Sequence, residues 1–106
     1  MSDIRQAREA LVRRILEGEG EASPSDRRAA FQNNGLDEPL GKLADKVARR
    51  AYSVTDEEIA AVRAASLSED EIFEILVCAA VGQASRQYDA ALAALDAASG
   101  NAIRKE

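Results

Sequence analysis

Val54-Thr55-Asp56-Glu57-Glu58-Ile59 and, thirteen residues later, Leu67-Ser68-Glu69-Asp70-Glu71-Ile72 share one design. Each runs apolar residue, hydroxyl residue, three acids, apolar residue. Thr55 with Glu58 and Ser68 with Glu71 have the spacing of a capping box, in which the hydroxyl accepts from the backbone of the third helical residue and the glutamate accepts from the cap. Val54 and Leu67 are placed to staple onto Ile59 and Ile72, fixing how the chain enters each helix. Each cap is worth about 1 kcal/mol, a useful fraction of the roughly 5–15 kcal/mol that holds a domain together. The second cap launches Ile72-Phe73-Glu74-Ile75-Leu76-Val77-Cys78-Ala79-Ala80-Val81, where only Glu74 is charged. A helix apolar on most faces has to be surrounded by others. The stretch therefore predicts an all-α protein, a compact bundle of four to five helices around a long apolar C-terminal helix.

Downstream, helical periodicity persists to Ala98, with Gly100 as the expected terminator. Thirty residues at about 1.5 Å each would span about 45 Å. A compact chain of this length has a radius of gyration near 13 Å, hence a diameter of about 34 Å. The helix must bend, break near Gly82, or project. Ala90, Ala91, Leu92, Ala94, Leu95, Ala97 and Ala98 give its last part a broad small-residue face that a partner helix would cover.

Upstream, Ser2 caps a predicted first helix ending near Glu17. Its stripe is Ile4, Ala7, Leu11 and Ile15, widened by Val12 and Leu16, with Arg5, Arg8, Arg13 and Arg14 on the other face. Gly18-Glu19-Gly20-Glu21 makes a solvated connector. Ser23-Pro24 starts a second, shorter helix with Ala29, Ala30 and Phe31 as its apolar contacts, ending at Asn33-Asn34-Gly35, where Gly35 can take the left-handed conformation that closes a helix. After Leu36-Asp37-Glu38-Pro39, a third helix carries Leu40, Leu43, Val47 and Ala51 on one face and Lys42, Lys46, Arg49 and Arg50 on the other, ending near Tyr52. No alternating strand pattern occurs.

The chain has 106 residues, which sets one domain. Its apolar content is 46% but only 4% is aromatic, so Ala, Leu, Ile and Val must form the core. Fourteen basic against nineteen acidic residues leave a net charge of −5. That is the wrong sign for nucleic-acid binding, where neutralising phosphates supplies the affinity. The longest apolar run is short of the about 20 residues that span a bilayer, and the N-terminus lacks a secretory pattern. A cytoplasmic protein with no membrane partner is expected. Cys78 is the single cysteine and histidine is absent, so neither an intrachain disulfide nor a Cys-x-x-C pair can form. No cofactor or metal is expected, and no Gly-rich phosphate loop is present.

The run from Val54 to Val81 resembles the alkylhydroperoxidase D-like/carboxymuconolactone decarboxylase superfamily. There a short helix leads through a Gly-Leu-Ser-x-x-Glu-Ile turn into a long apolar helix. Ser66 stands where that glycine is common, and Leu67-Ser68-Glu69-Asp70-Glu71-Ile72 matches the turn. The resemblance covers about Leu36 to Leu95, implying an alkylhydroperoxidase D-like core over 36–98 with 1–35 as an N-terminal helical extension. Its redox members carry Cys-x-x-C and a histidine. By the usual spacing those positions fall on Ala51, Val54 and Glu58, which supply neither a nucleophilic thiol nor a resolving one. The resemblance thus implies a non-redox member, without thiol peroxidase activity, acting as a homo-oligomeric assembly, accessory or binding protein. The alternative it implies is a cofactor-independent decarboxylase or lactone-isomerising enzyme acting on a small anionic substrate.

Glu58, Glu74 and Arg86 are the catalytic candidates. Glu74 is a lone carboxylate on an apolar helix, where burial raises a pKa toward general acid–base work; a solvent-facing strip or an arginine partner explains it as well. Gln83, Arg86, Gln87 and Tyr88 form a polar cluster suited to a subunit interface or a pocket, with the interface favoured. Cys78 reads as a buried hydrophobe. The acids at 56–58 and 69–71 are explained by helix caps and dipoles. The expected partner is a second copy through the C-terminal helix, with a small apolar or anionic ligand as the further option.

Overall fold

The computed structural model describes residues 2–65 and 67–104, and these contain helices and no strand. Helix α1 is Ser2–Glu17, α2 Pro24–Gln32, α3 Leu40–Arg50, α4 Asp56–Ala64 and α5 Glu69–Arg104, with a 3₁₀ turn over Ala51–Ser53. Ser66, at the glycine position of the resemblance, lies outside the described residues.

Both caps form. Thr55 Oγ1 accepts from the Glu58 amide at 3.2 Å while Glu58 accepts from the Thr55 amide at 2.8 Å. Ser68 Oγ accepts from the Glu71 amide at 3.1 Å and Glu71 accepts from the Ser68 amide at 3.0 Å. Val54, Ile59 and Leu67 pack half-buried on the core, which includes fully covered Leu43, Val62, Ile75 and Cys78. Ser23 caps α2 through the Asp26 amide, and Asn33, at φ 54°, closes it. The closing left-handed position falls on Asn33, whereas the sequence predicts it at Gly35; Gly35 follows at φ 98°. Asparagine tolerates that region better than most residues with a side chain.

α5 is the spine. Its most extensive contact is with α2 and the next with α3. It neither breaks at Gly82 nor stops at Gly100, running 36 residues without interruption. Gly82 is instead a crossing point: it is buried, and a Cβ there would overlap the main-chain carbonyl of Phe31 at the end of α2. The molecule measures 61 × 28 × 21 Å, with a radius of gyration of 16.8 Å. That exceeds the about 13 Å of a compact chain this long. Of the three options open to an over-long helix, this one projects.

α1 lies antiparallel against the projecting part. Near the body Cys78 Sγ donates to the Ile15 carbonyl at 3.6 Å, and further out Arg8 pairs with Asp89. The face of α1 turned to α5 is not the whole apolar stripe. Ile15 and Leu16 reach the core, but Ile4 and Leu11 are 55% and 50% exposed. Arg8, placed by its sequence among the outward arginines, faces α5 and lies 5.2 Å over the Tyr88 ring. The stripe is rotated because α1 has only one neighbour along its outer half, so one flank is left without a protein surface to meet.

Candidate functional site: a two-helix arm and its polar root

Two polar groups fix the root of the arm. Arg27 on α2 is 5% exposed and its Nη1 donates to the carbonyls of Gly18 at 2.7 Å and Ile15 at 3.3 Å. These are orphan acceptors of the α1 C-terminus, where a cation also opposes the negative end of the helix dipole. Glu74 on α5 accepts from the main-chain amides of Glu21 and Ala22, both at 2.9 Å. A Cβ on Gly20 would meet the Glu74 carboxylate, which would have to shift to make room for it. The Glu21 amide is the largest influence holding the Glu74 pKa below the ordinary glutamate value, with the Ala22 amide and the Arg27 charge adding to it against partial burial. A carboxylate whose charge is stabilised is a weak proton donor near neutrality.

Cys78 is buried beside this network. Burial pushes its thiol up; the Arg27 charge opposes and the Glu74 charge assists. The group is the reverse of an activated thiolate.

The other candidates sit elsewhere. Glu58 accepts from Lys46 Nζ at 2.8 Å and from the Thr55 amide and hydroxyl. The Lys46 contact is foremost in lowering its pKa. It borders a depression with Lys42, Asp45 and Arg50. Arg86 donates through Nη1 to the Phe31 carbonyl and through Nη2 to Gln83 Oε1 at 3.0 Å, so it caps the end of α2. It borders a different cavity of about 410 Å³ between α1, α2 and α5, which Arg8, Val12, Leu16 and Phe31 also line. Glu58, Glu74 and Arg86 are therefore engaged at three separate places. Gln83 is half-buried, Gln87 is exposed, and Tyr88 is 36% exposed beneath Arg8.

The outward face of α5, from the body to the tip of the arm, carries a different chemistry. On α5, Phe73 is 68% and Leu95 61% exposed. Between them Val77 and Val81 are half-buried and Ala80, Ala84 and Ala91 are exposed, at three- and four-residue spacings that place them along one flank. Tyr88 borders the same flank. Ile4 and Leu11 of antiparallel α1 are exposed one turn to either side of Arg8, which is level with Tyr88. A groove of about 360 Å³ between the two helices is lined by Arg5, Arg8, Tyr88, Leu92, Leu95 and Asp96. Neither Arg27 nor the exposure of Phe73 has a distinctive mark in the sequence.

Among the described residues no group of three or more His, Cys, Asp or Glu side chains is placed to hold a metal ion. No helix described is long and apolar enough to cross a membrane. The chain matches no family model, curated protein or solved structure, so its function has to be argued from this geometry.

Proposed function

We propose that this protein works by self-association, as a non-redox helical assembly or accessory protein whose contact surface is the α1–α5 arm. One observation carries the proposal: Ile4, Leu11 and Leu95, all at least half exposed, lie on a projecting two-helix arm, and Phe73 is exposed where the same helix leaves the body. Single exposed hydrophobics are ordinary, whereas contiguous apolar surface marks an interaction site. The arm is also anchored, since Arg27 and Glu74 tie its root to the body. A fixed surface loses little freedom on binding, which favours association.

The resemblance to alkylhydroperoxidase D-like proteins supports an assembly role through the chemistry that is missing. Ala51 and Val54 stand at its thiol positions, and the Glu58 carboxylate is occupied by Lys46 and the helix cap. A scaffold retained without its reactive groups fits assembly better than turnover.

Gel filtration with light scattering at micromolar concentration tests this directly. The expected mass is a multiple of the monomer. Leu11→Asp combined with Leu95→Asp should return a monomer with unchanged far-ultraviolet circular dichroism, because both positions are outside the core. A wild-type chain that is monomeric throughout would overturn the proposal.

A further inference from the structure

Where α2 ends against the arm, three helices enclose a recess that faces away from the exposed flank. Arg13, on its edge, follows Leu11 by two residues and so lies on nearly the opposite side of α1. We propose that this recess binds a small amphipathic monocarboxylate. Its alkyl or aryl body rests on Val12, Leu16 and Phe31, and its carboxylate lies between Arg86 and Arg13. Self-association is not a premise of this site.

Polar links fix the walls. Arg8 pairs with Asp89 and joins α1 to α5, Arg28 pairs with Glu17 and joins α2 to α1, and Arg86 donates to the Phe31 carbonyl and joins α5 to α2. The space they frame is about 410 Å³, at the lower end of the about 300–1,000 Å³ of small-molecule sites. Val12, Leu16 and Phe31 are half-buried there, leaving apolar surface that the body of a ligand would remove from water.

Charge selects an anion. Three arginines and three acids border the recess, but they are not equally free. Asp89 is taken by Arg8, and Glu17 by Arg28. Arg86 uses two of the five N–H groups of an arginine, both on neutral acceptors, the Phe31 carbonyl and Gln83 Oε1. Among the described residues neither Arg13 nor Glu9 forms an ion pair. Two cations, Arg13 and Arg86, therefore stand against one free acid, Glu9, in a chain whose net charge is −5. The carboxyl end of α2 offsets about half a unit of the Arg86 charge, and the balance stays positive. That balance suits one carboxylate and not two. Ser85, half-buried on α5, adds a hydroxyl. Because two hydrogen bonds already hold the Arg86 guanidinium, little freedom is lost when a carboxylate meets it.

The other depressions lack this combination. The one over Leu36, Leu40 and Leu67 has only acids at its edge, Asp26, Asp37 and Glu38. The one beside Glu58 has no apolar side chain, and its Lys46 is taken. The groove at Tyr88 balances Arg5 against Asp96, with Arg8 committed to Asp89.

Titrating the full chain with octanoate, below its micelle-forming concentration, and following backbone amide resonances by NMR tests the site. Saturable shifts should centre on Val12, Leu16, Phe31 and Ser85. Octylammonium, with the same chain and the opposite charge, should bind about tenfold more weakly or less, the scale of one charge-assisted hydrogen bond. Arg13→Gln and Arg86→Gln should each weaken octanoate about tenfold by the same reasoning. Val12→Phe, which fills the recess, should abolish the shifts with circular dichroism unchanged. Arg13 is exposed and outside the core, so its variant reads binding without touching the fold. Unsaturable shifts spread along Leu11 and Leu95, octylammonium binding as well as octanoate, or full affinity in Arg13→Gln would each overturn the proposal.

Discussion

Gly82 of α5 lies so close beneath the Phe31 carbonyl of α2 that no side chain fits between them. This contact sets how α2 rides on the spine and lets Arg86, one turn further along, reach the same carbonyl. Replacing Gly82 by alanine pits two effects against each other. Alanine improves helix propensity by about 1 kcal/mol. Overpacking against a main-chain atom that belongs to a helix end typically costs about 1–3 kcal/mol. The carbonyl cannot rotate away without breaking the end of α2, so overpacking should win. Calorimetry should show Gly82→Ala melting at lower temperature, about 4 °C or more for each net kcal/mol. A variant at least as stable as the wild type would mean that α2 does not depend on this contact.

Glu74 makes its two amide contacts as a carboxylate, which gives them a pH dependence of definite sign. Its folded pKa is lowered below 4.5, chiefly by the Glu21 amide. Its contribution to stability is therefore fully present above the unfolded value and is lost as pH falls through the folded one. Glu58, lowered foremost by Lys46, and Asp45, lowered foremost by the Asn33 side chain, act in the same direction. Urea titrations should show stability declining as pH drops below about 4.5, with a shallower decline in Glu74→Gln. At neutral pH that variant should lose about 1.5–3 kcal/mol, because the glutamine amide can replace only one acceptor and turns a donor toward the other backbone N–H. An equally steep acid decline in the variant would show that other carboxylates account for it.

Cys78 should be chemically silent in the folded protein. Burial is the first cause of its raised pKa, and its Sγ is committed to the Ile15 carbonyl. Since the thiolate is the reactive form, a chromogenic disulfide reagent at neutral pH should label it slowly in native protein and rapidly in denaturant. Glu74→Gln, which removes a neighbouring negative charge and loosens the connector, should speed native labelling. Rapid labelling of the wild type would indicate that the arm root opens readily.

How much of this the sequence discloses depends on the range of the interaction. Thr55, Glu58, Ser68 and Glu71 bond within four residues of one another, so spacing alone reveals both caps and the helices behind them. The length of α5 is equally legible, as is the surplus it must bring. Periodicity identifies an apolar face but not what the face meets. Ile4 and Leu11 read as core beside Ile15, yet only the inner part of α1 reaches the core. Arg27 and Arg28 look alike in sequence, and one is buried while the other pairs with Glu17 at the surface. The partners of Arg27 are main-chain carbonyls, which leave no residue type to recognise. Glu74 stands out as the lone charge of its helix, but the amides it holds lie 52 and 53 residues earlier in a connector notable only for its glycines.

Amide hydrogen exchange should resolve α5 into two parts with different concentration dependence. From Ile72 to Gly82 the helix has α2 and α3 packed on it, with Ile72, Ile75, Cys78 and Ala79 in the core. Its amides should open only with the body and exchange at rates independent of protein concentration. From Ala84 to Ser99 the flanking surface is mostly exposed, and α1 supplies the nearby cover. Local opening there costs less, because few buried apolar contacts oppose it. If a second chain covers this part, association stabilises it by mass action. Raising the concentration about tenfold through the dissociation constant should then slow exchange at 84–99, and in α1 around Leu11, with little change at 72–82. Leu11→Asp with Leu95→Asp should abolish that response while leaving the slow amides of the body slow. Exchange at 84–99 that is fast at every concentration would show the arm to be bare in solution; exchange uniformly slow along α5 at every concentration in the double variant would show that the arm is held rigid without a partner.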